Sequence, residues 1–456
     1  MTNKKHWEKL DSTDASCCAI NMRDGRNGMQ LRAGQADHVK QHRRGEKNRR
    51  QRNPLLGKFL FSFLIVSAYL FCKKIHIPWV VAVESGNTEH GMQGFIQSAM
   101  GNNSDAGTVM AVGFMPYITA MVVISLFHSI RQNKKTSGRR RLNQVRVLTL
   151  LLAVLQAAIR TMRVDYAESY SLPIPVLNAM TMIVLVAGAF SMVWMSERCQ
   201  KWGLGGTSVL ILVNVVQNLW STGLRSVEEL GEQGIDPVIM VLAASLVSFL
   251  IILITVLMER SELHVNIKRI MIHNSFGGDS HLAVKLNPVG TMAVMYVMTL
   301  FALPYYICSL YIFLFGENGV VVAVQRNLNL QSIGGILLFM FLLATLNCAL
   351  ARIQINPEDI ADELQKSGDY IPGIHPGKDT KFCISKMVWF ASIVSSVVSC
   401  IIIIPPLILQ EQTELSSSIF LLPMSVMILT GIVLGILEEI HTVDIINRYR
   451  RETSWL

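Results

Sequence analysis

Charge is scarce in this sequence. Asp, Glu, Lys and Arg together make up 16% of its 456 residues, whereas a soluble domain carries about 25%. Hydrophobic residues account for 51% of the chain. This depletion of charge excludes an ordinary soluble domain.

Several motifs that mark enzymes and metal sites are also missing. The chain contains no HExxH sequence, no GxSxG sequence and no GxxxxGK[ST] phosphate-binding loop. Its eight cysteines form no CxxC pair and mostly lie in or beside apolar runs, a placement typical of small buried hydrophobic residues. We therefore expect no enzymatic activity, no cofactor and no metal ion.

Long apolar runs are what the sequence has in abundance. About ten runs of roughly 17–25 residues are each long enough to cross a ~30 Å hydrocarbon core as a helix. In lipid they must be helical, because unpaired backbone groups find no water there. The sequence therefore predicts an all-α polytopic membrane protein with ten transmembrane helices. The predicted spans are residues 55–78, 109–130, 143–163, 173–196, 207–223, 237–258, 288–315, 330–352, 384–409 and 416–439.

The basic residues that produce the formal net charge of +9 are unevenly distributed. They concentrate in the N-terminal segment and in alternate loops. By contrast, residues 79–108 and 410–415 contain no Lys or Arg, and residues 316–329 contain only Arg326. By the positive-inside rule, both termini and the even-numbered loops are predicted to be cytoplasmic. Because the charge follows membrane topology, we expect no nucleic-acid partner.

Residues 1–53 precede the first predicted span and are rich in Asn, Gln, Gly and charge. With too little apolar content to build a core, they are predicted to form a disordered basic cytoplasmic tail, and no cleavable signal peptide is visible in them. Two interpretations stay open. The tail lies on anionic lipid, where each basic residue contributes about 1 kcal/mol, or it is a solvated extension. Residues 441–456 are predicted to be a cytoplasmic C-terminal tail.

Five segments carry distinctive motifs, and together they cover about residues 54–450, essentially the whole predicted membrane domain. One is residues 355–378, a polar stretch of charges, prolines and glycines between two apolar runs. The other four are Gly113-Phe-Met-Pro-Tyr-Ile-Thr-Ala120, Leu142 to Ile159 with Gln144, Arg146 and Gln156, Trp194-Met-Ser-Glu-Arg-Cys-Gln-Lys-Trp-Gly-Leu-Gly-Gly-Thr-Ser208, and Lys285-Leu-Asn-Pro-Val-Gly290. All five, in the same order, resemble motifs of SecY, the pore subunit of the protein translocase in the SecY/Sec61-alpha family.

The resemblance implies the remaining features of the fold. The ten spans, within residues 54–440, would form two pseudo-symmetric halves, about 54–225 and 237–440, around a central pore. Residues 91–108 are rich in glycine and match the family's plug, a half-helix in the outer funnel. An ordinary external loop is the alternative for this segment. The glycines that would act as its hinges are Gly94, Gly101 and Gly107.

The resemblance also places a collar of apolar side chains in the pore. Such a collar dewets when the pore is empty and packs around a passing polypeptide. Ordinary helix packing is the alternative, because apolar residues fill every span. In the fifth span, an alignment ambiguity of one residue leaves Ile211 as the alternative to Leu212. The matching positions are Phe114, Ile118, Val122, Leu212, Met295 and Ile428.

Two further sites follow from the resemblance. Gln156 and Thr299 match polar positions of the lateral gate, which in the family opens between the second and third spans and the seventh and eighth; a static interhelical contact is the alternative for Gln156. The loops 259–286 and 352–383 match the surface that docks the ATPase SecA, although their charges could simply keep the loops in water. The candidate docking residues are Lys268, Arg269, His375, Lys378, Arg448 and Tyr449.

One departure from the family pattern lies in the sequence Ile371-Pro-Gly-Ile-His-Pro-Gly377, where the family usually has arginine in place of His375. A permanently charged, bidentate guanidinium is replaced by an imidazole that is mostly neutral at pH 7. The loop 259–286 is also poor in basic residues for a housekeeping channel. Both departures resemble the accessory SecY paralogue of Gram-positive bacteria, which works with a dedicated second SecA and exports large serine-rich, glycosylated adhesins.

The predicted function is therefore the pore subunit of an accessory preprotein translocase in the bacterial plasma membrane. The expected partners are a SecA-type ATPase, SecE- and SecG-like small membrane subunits, preproteins with signal peptides, and membrane lipids. A housekeeping SecY channel is the alternative. A secondary transporter is the alternative from another class, but it would need ionisable or unwound polar sites at mid-membrane, and the predicted span centres are nearly free of charge.

Overall fold

The computed structural model describes most of the predicted membrane domain. The described residues are 54–81, 107–130, 138–161, 164–167, 173–232, 237–269, 280–316, 318–328, 332–412 and 420–452. The chain divides into two units, residues 1–58 and 59–456. Of the first unit, the described part is Pro54–Lys58, which begins the first helix. The predicted disordered tail therefore lies outside the described residues.

Helices dominate the described residues, and three short strands accompany them. The helices are α1 (Pro54–Lys73), α2 (Met115–Ile130), α3 (Gly138–Thr161), α4 (Ile174–Trp202), α5 (Gly206–Glu232), α6 (Pro237–Arg260), α7 (Met292–Phe315), α8 (Gly319–Asn327), α9 (Ile333–Gln354), α10 (Pro357–Ser367), α11 (Lys378–Gln412) and α12 (Leu422–Glu452). The strands are β1 (Glu262–Arg269), β2 (Ser280–Lys285) and β3 (Asp369–Tyr370).

The described residues include nine helices long and apolar enough to cross a membrane. They coincide with nine of the ten predicted spans and confirm a multi-pass, mainly helical membrane protein. The exception is the predicted span 109–130, where α2 has only 16 residues and begins at Met115 after a series of turns. At 1.5 Å per residue it is about 24 Å long, short of a ~30 Å core. The count of ten spans therefore stays a prediction.

Helix packing sorts the membrane helices into two groups that meet along two seams. In the first group α2 packs on α3, α3 on α4 and α4 on α5; in the second, α6 packs on α12, α7 on α9 and α9 on α11. At the front seam, α2 contacts α7 and α9, and α3 contacts α7. At the back seam, α5 contacts α6 and α12. Both groups thus contribute helices to both seams.

The two predicted docking loops contain regular structure that we did not predict. β1 and β2 form an antiparallel pair in which Leu263 lies opposite Val284, and β3 adds to the free edge of β1, giving the strand order β2-β1-β3. Apolar residues alternate with exposed His264, Asn266 and Lys268 along β1, the period of a half-buried strand. The sheet therefore joins loop 259–286 to loop 352–383.

The short helix α10 in the second loop is specified by its end residues. The Asn356 side chain accepts a hydrogen bond from the Glu358 backbone N–H at 3.2 Å, and Pro357 occupies the first helical position. Gly368 follows the last turn with φ 74° and ψ 18°, the left-handed conformation that glycine adopts at low cost. The sequence Asn356-Pro-Glu-Asp359, followed by Gly368, is typical of the two ends of such a helix, although we did not predict it.

The last helix continues well beyond the predicted span. α12 runs to Glu452 without interruption, so most of the predicted C-terminal tail is an extension of a membrane helix. Two carboxylates on α12 tie it to its neighbours. Lys285 of β2 forms an ion pair with Glu438 at 2.6 Å, and the Gly205 backbone N–H donates to Glu439 Oε2 at 2.8 Å. The second bond closes the back seam between α5 and α12.

Gly431 and Gly435 of α12 provide a matched test of packing. A Cβ atom on Gly431 would lie 1.4 Å from Thr291 Oγ1 and 2.5 Å from Thr291 Cβ, whereas one on Gly435 meets nothing within 4 Å. Because Thr291 is only 3% exposed and cannot move away, we expect Gly431→Ala to lower the free energy of unfolding by about 1–3 kcal/mol. Gly435→Ala should preserve or raise it, since alanine is about 0.5–1 kcal/mol better in a helix. Thermal unfolding midpoints in one detergent would check this, and equal midpoints for the two variants would contradict it.

Candidate functional site

Most side chains predicted for the collar are buried in an apolar core that both helix groups share. Phe114 lies directly before α2, and Ile118 follows one turn later on that helix; both are at most 1% exposed. Met295 of α7 and Ile428 of α12, from the second group, are 3% and 2% exposed. All belong to one continuous apolar cluster. The remaining members predicted for the collar are Val122 of α2, which is 2% exposed in the same cluster, and Leu212 of α5.

On α5, Ile211 is more deeply buried than its neighbour Leu212. Ile211 is 2% exposed and belongs to the cluster, whereas Leu212 is half-buried and packs against its margin. Of the two residues that the alignment left open, Ile211 therefore lies deeper. We define the collar below as Phe114, Ile118, Val122, Ile211, Met295 and Ile428, with Leu212 beside it.

A buried polar contact holds α1 to α5 beside the collar. The Tyr69 hydroxyl donates to Asn214 Oδ1 at 2.6 Å, and Lys73 Nζ donates to the same oxygen at 3.1 Å. The Tyr69 ring also lies 6.4 Å from that of Phe114, centroid to centroid. Because Asn214 is three residues beyond Ile211 on α5, this contact sets the position of the α5 segment that reaches the collar. The sequence analysis singled out none of Tyr69, Lys73 and Asn214.

The segment that precedes α2 packs tightly against the first group. The Ile77 backbone N–H donates to the Gly107 carbonyl oxygen at 2.7 Å, and a Cβ on Gly107 would lie 3.1 Å from Val80 Cγ1. A Cβ on Gly188 of α4 would lie 1.9 Å from the Val109 carbonyl oxygen, so that close approach requires glycine. Gly94 and Gly101, the other predicted plug hinges, lie outside the described residues. The plug stays a prediction.

The two predicted gate residues are both buried, but only one of them has a described hydrogen bond. Gln156 of α3 is 6% exposed, and its Oε1 has no hydrogen-bond partner among the described residues. Thr299 of α7 is 1% exposed and donates to the Tyr296 carbonyl oxygen at 2.9 Å. The structure describes no hydrogen bond between them, although α3 contacts α7. Across the same front seam the Tyr306 hydroxyl donates to Met115 Sδ at 3.5 Å, a weak sulfur acceptor.

The sheet joins the segments that carry part of the predicted docking set. Lys268 of β1 is exposed and lies opposite Tyr370 of β3 in the register, and the Arg269 backbone lies opposite Asp369. His375 and Lys378 follow β3 within eight residues, and both side chains are exposed. The Thr380 hydroxyl donates to the His375 carbonyl oxygen at 3.0 Å, which holds the turn before α11. We call Lys268, Tyr370, His375 and Lys378 the loop surface.

Arg448 and Tyr449 lie apart from the contact that joins α12 to the sheet. That contact is the Lys285–Glu438 ion pair, and a helix rises about 1.5 Å per residue. Arg448 is therefore roughly 15 Å farther along α12. It pairs with Asp444 at 2.9 Å, one turn away, and Tyr449 is 66% exposed. The predicted docking set thus divides into the loop surface and a separate helix end.

A second buried polar cluster links the start of α7 to α9 and α11. The Asn347 side-chain amide donates to Ser395 Oγ and Ser396 Oγ at 3.2 and 3.1 Å. Ser395 Oγ in turn donates to Asn287 Oδ1 at 2.7 Å. These bonds lie within the second group and join α7, through the residues before it, to its neighbours. The spacing of Ser392, Ser395, Ser396 and Ser399 on one face of α11 was the available sequence signal.

The first group has an equivalent polar tie between α3 and α4, and a second tie joins it to α1. Arg146 of α3 contacts both carboxylate oxygens of Glu197 on α4, at 2.8 and 3.0 Å, the bidentate geometry that arginine favours. Ser62 of α1 bonds both the N–H and the carbonyl oxygen of Leu204, at 2.7 and 3.2 Å. Within the residues described, no cluster of three or more His, Cys, Asp or Glu could hold a metal ion.

These features define a polytopic membrane protein whose two helix groups pack around a shared apolar core. The family model of SecY matches residues 108–437. Because that match covers more than half of the chain, the protein belongs to the SecY family.

Curated relatives align with this chain over most of its length. The accessory Sec system protein translocase subunit SecY2 of Streptococcus sanguinis (strain SK36) is 26% identical over 411 residues, which is 87% of this chain and 97% of that protein. The protein of the same name from Streptococcus pneumoniae serotype 4 (strain ATCC BAA-334 / TIGR4) is 28% identical over 401 residues, covering 86% of this chain and 96% of that one.

Solved structures show the same fold. A structure described as a protein-conducting channel aligns with a TM-score of 0.63 at 15% identity, covering 86% of this chain and 93% of the other. Sec61 in the canine ribosome–channel complex aligns with a TM-score of 0.58 at 14% identity, with the same two coverages. Together with the nine apolar helices, these matches confirm the predicted channel fold at the level of its architecture.

Removal of the Tyr69 hydroxyl tests the contact between α1 and α5. Tyr69→Phe leaves the ring beside Phe114 but deletes the donor to buried Asn214, and we expect a loss of about 0.5–2 kcal/mol in the free energy of unfolding. Tyr305→Phe is the control, since no hydrogen bond of the Tyr305 hydroxyl is described. Thermal unfolding in detergent would measure both. An unchanged midpoint for Tyr69→Phe would show that the hydrogen bond does not stabilise the fold.

Proposed function

We propose that this protein is the pore-forming subunit of an accessory Sec preprotein translocase, a channel without enzymatic activity of its own. The observation that carries the proposal is its match, over 96–97% of their length, to relatives named as SecY2 subunits. The departure from the family pattern at His375 supports the same assignment. The exported preproteins would be few and, by the same resemblance, serine-rich and glycosylated.

The collar would provide the seal of the idle channel. Its side chains are apolar, buried and drawn from both helix groups, so the constriction can exclude water and ions without any polar bond across it. Separation of the groups would open it, because the collar residues of α2 and of α7 move apart with their groups. Flexible apolar side chains would then surround the passing polypeptide.

The two seams differ in how readily they would separate. At the back seam, a carboxylate of α12 accepts from the Gly205 backbone N–H at 2.8 Å, a charge-assisted bond. At the front seam, a described hydrogen bond runs from the Tyr306 hydroxyl to the Met115 sulfur, and the amide oxygen of Gln156, on the seam helix α3, has no described partner. We infer that the front seam is the lateral gate, where a signal peptide would insert and offer Gln156 a partner, and that the back seam is the hinge.

The loop surface would receive the motor. The chain contains no phosphate-binding loop, so a SecA-type ATPase would supply the energy. Lys268, His375 and Lys378 are exposed on segments that the sheet holds together. A rigid platform of this kind transmits a push better than two independent loops. Arg269 would support the strand pairing next to Lys268, while Arg448 and Tyr449 would form a second contact at the end of α12.

The membrane setting follows from the topology signal. We infer a bacterial plasma membrane with both termini in the cytoplasm, because the basic residues concentrate in the N-terminal segment and in alternate loops of the sequence. SecE- and SecG-like small subunits are the expected membrane partners, and the plug, residues 91–108, would fill the outer funnel. Residues 1–53 would contact anionic lipid or remain solvated.

Deletion of the gene tests the proposed function. We expect a viable mutant whose secreted and surface-bound proteome lacks one or a few large glycosylated wall proteins while general export continues. Quantitative proteomics of mutant and parent would measure this. A lethal deletion or a general loss of export would instead identify a housekeeping SecY. A viable mutant with unchanged export would contradict both channel assignments and favour a transporter.

Complementation of the same deletion strain tests the loop surface. Plasmids carrying Lys378→Ala or His375→Ala should restore export poorly, because these side chains would contact the motor. The matched control is Lys366→Ala, an exposed lysine on α10 outside that surface. Full restoration by all three variants, at equal membrane levels, would show that the loop surface does not dock the motor.

A polar residue in the collar should make the idle channel leak. We expect Ile118→Asn to raise the ion permeability of proteoliposomes on the order of tenfold, because a polar ring member favours water in a constriction that otherwise dewets. Ile183→Asn is the control, since Ile183 is 67% exposed on the lipid-facing side of α4. Ion flux driven by a potassium gradient would measure both. Equal flux for the two variants would mean that the collar residues are ordinary packing.

A further inference from the structure

The short helix α8, which connects α7 to α9, has an unusual composition for a connection between membrane spans. Its nine residues include the uninterrupted apolar stretch Val320-Val-Val-Ala-Val324. Five consecutive apolar residues cover more than one full turn of a helix, so apolar side chains of α8 face several directions and each needs cover from water.

The protein itself covers one side of α8. Val321 and Gln325 are half-buried and Leu328, just beyond the helix, is buried, and α8 packs on α7. These residues follow the i, i+4, i+7 spacing of one helix face. The opposite side is open, with Val320 77% exposed and Val324 45% exposed. Val322, between the two sides, is 42% exposed.

The open side of α8 continues the lipid-facing surface of α7. The Asn318 side-chain amide donates to the Tyr311 hydroxyl at 3.0 Å, which places the start of α8 beside the last turn of α7. In that turn Leu314 and Phe315 are 60% and 72% exposed, just past the membrane-spanning residues Met292–Ile312. Aromatic residues such as Tyr311 and Phe315 at the end of a span are typical of the membrane–water boundary.

We propose that α8 is an interfacial anchor that lies on the bilayer surface with Val320, Ala323 and Val324, all exposed on its open side, inserted among the lipids of one leaflet. Lipid is the occupant that the continuity with Leu314 and Phe315 favours, and a helix with an apolar face binds at this depth of a bilayer. The anchor would hold the end of α7 that is remote from the sheet, and α7 carries Met295 and Thr299. This inference does not depend on the proposed translocation function.

Photocrosslinking tests the anchor. The photoreactive amino acid p-benzoylphenylalanine replaces Val320 or Val324 in the full chain, purified with any small subunits it retains and reconstituted in vesicles of phosphatidylcholine and phosphatidylglycerol. After irradiation, mass spectrometry should find lipid adducts about tenfold more abundant at both positions than at Lys366, the exposed control on α10. Protein adducts would overturn the proposal in favour of a polypeptide partner. Adduct yields equal to the control would show that α8 faces water.

A measurement on the unsubstituted protein guards against effects of the introduced residue. A lipid-soluble diazirine and a water-soluble one label the same vesicles, and the labelled peptides are quantified. The peptide with residues 319–327 should react mainly with the lipid-soluble reagent, and the α10 peptide, residues 357–367, mainly with the water-soluble one. Predominant labelling of 319–327 from water would overturn the anchor even if every variant failed to fold.

Discussion

Apolar contact between two groups of helices, without hydrogen bonds through the collar itself, is the constraint on which this structure depends. Phe114, Ile118, Met295 and Ile428 are each at most 3% exposed, and dispersion and water exclusion hold them together. Such contacts can separate without leaving an unsatisfied polar group behind. In the proposed channel they would therefore allow a tight seal and an opening motion in the same place, which a polar ring would not.

Directional bonds are concentrated around this apolar centre. In the first group, Arg146 pairs with Glu197, and Tyr69 joins α1 to Asn214 of α5. In the second group, a chain of hydrogen bonds connects Asn347, Ser395 and Asn287. The sheet and the Lys285–Glu438 pair connect the second group to its loops. Each group is thus internally braced, while the front seam between them has few described polar contacts. That arrangement favours movement of the groups as bodies over deformation inside either one.

Much of the architecture could be predicted from the sequence because a bilayer imposes length and hydropathy on every span. Nine predicted spans agree with helices of sufficient length. Most residues that match the family's collar lie in one apolar cluster of the structure. Alternation along β1 was visible in the sequence, but the sequence analysis made no prediction of strands in these loops. The short α2 and the long α12 were missed at their ends, because turns before Met115 and polar residues after Leu437 do not follow span hydropathy.

The sequence alone determined that the chain is a multi-pass helical membrane protein of the SecY family, because both conclusions rest on local patterns: apolar run lengths and short motifs. Tertiary structure decided which neighbours those helices acquire. It placed Ile211 deeper than Leu212, paired Tyr69 with Asn214, joined two loops in one sheet and left one side of α8 uncovered. These outcomes depend on contacts between residues distant in sequence, and no local pattern specifies which buried partners will meet.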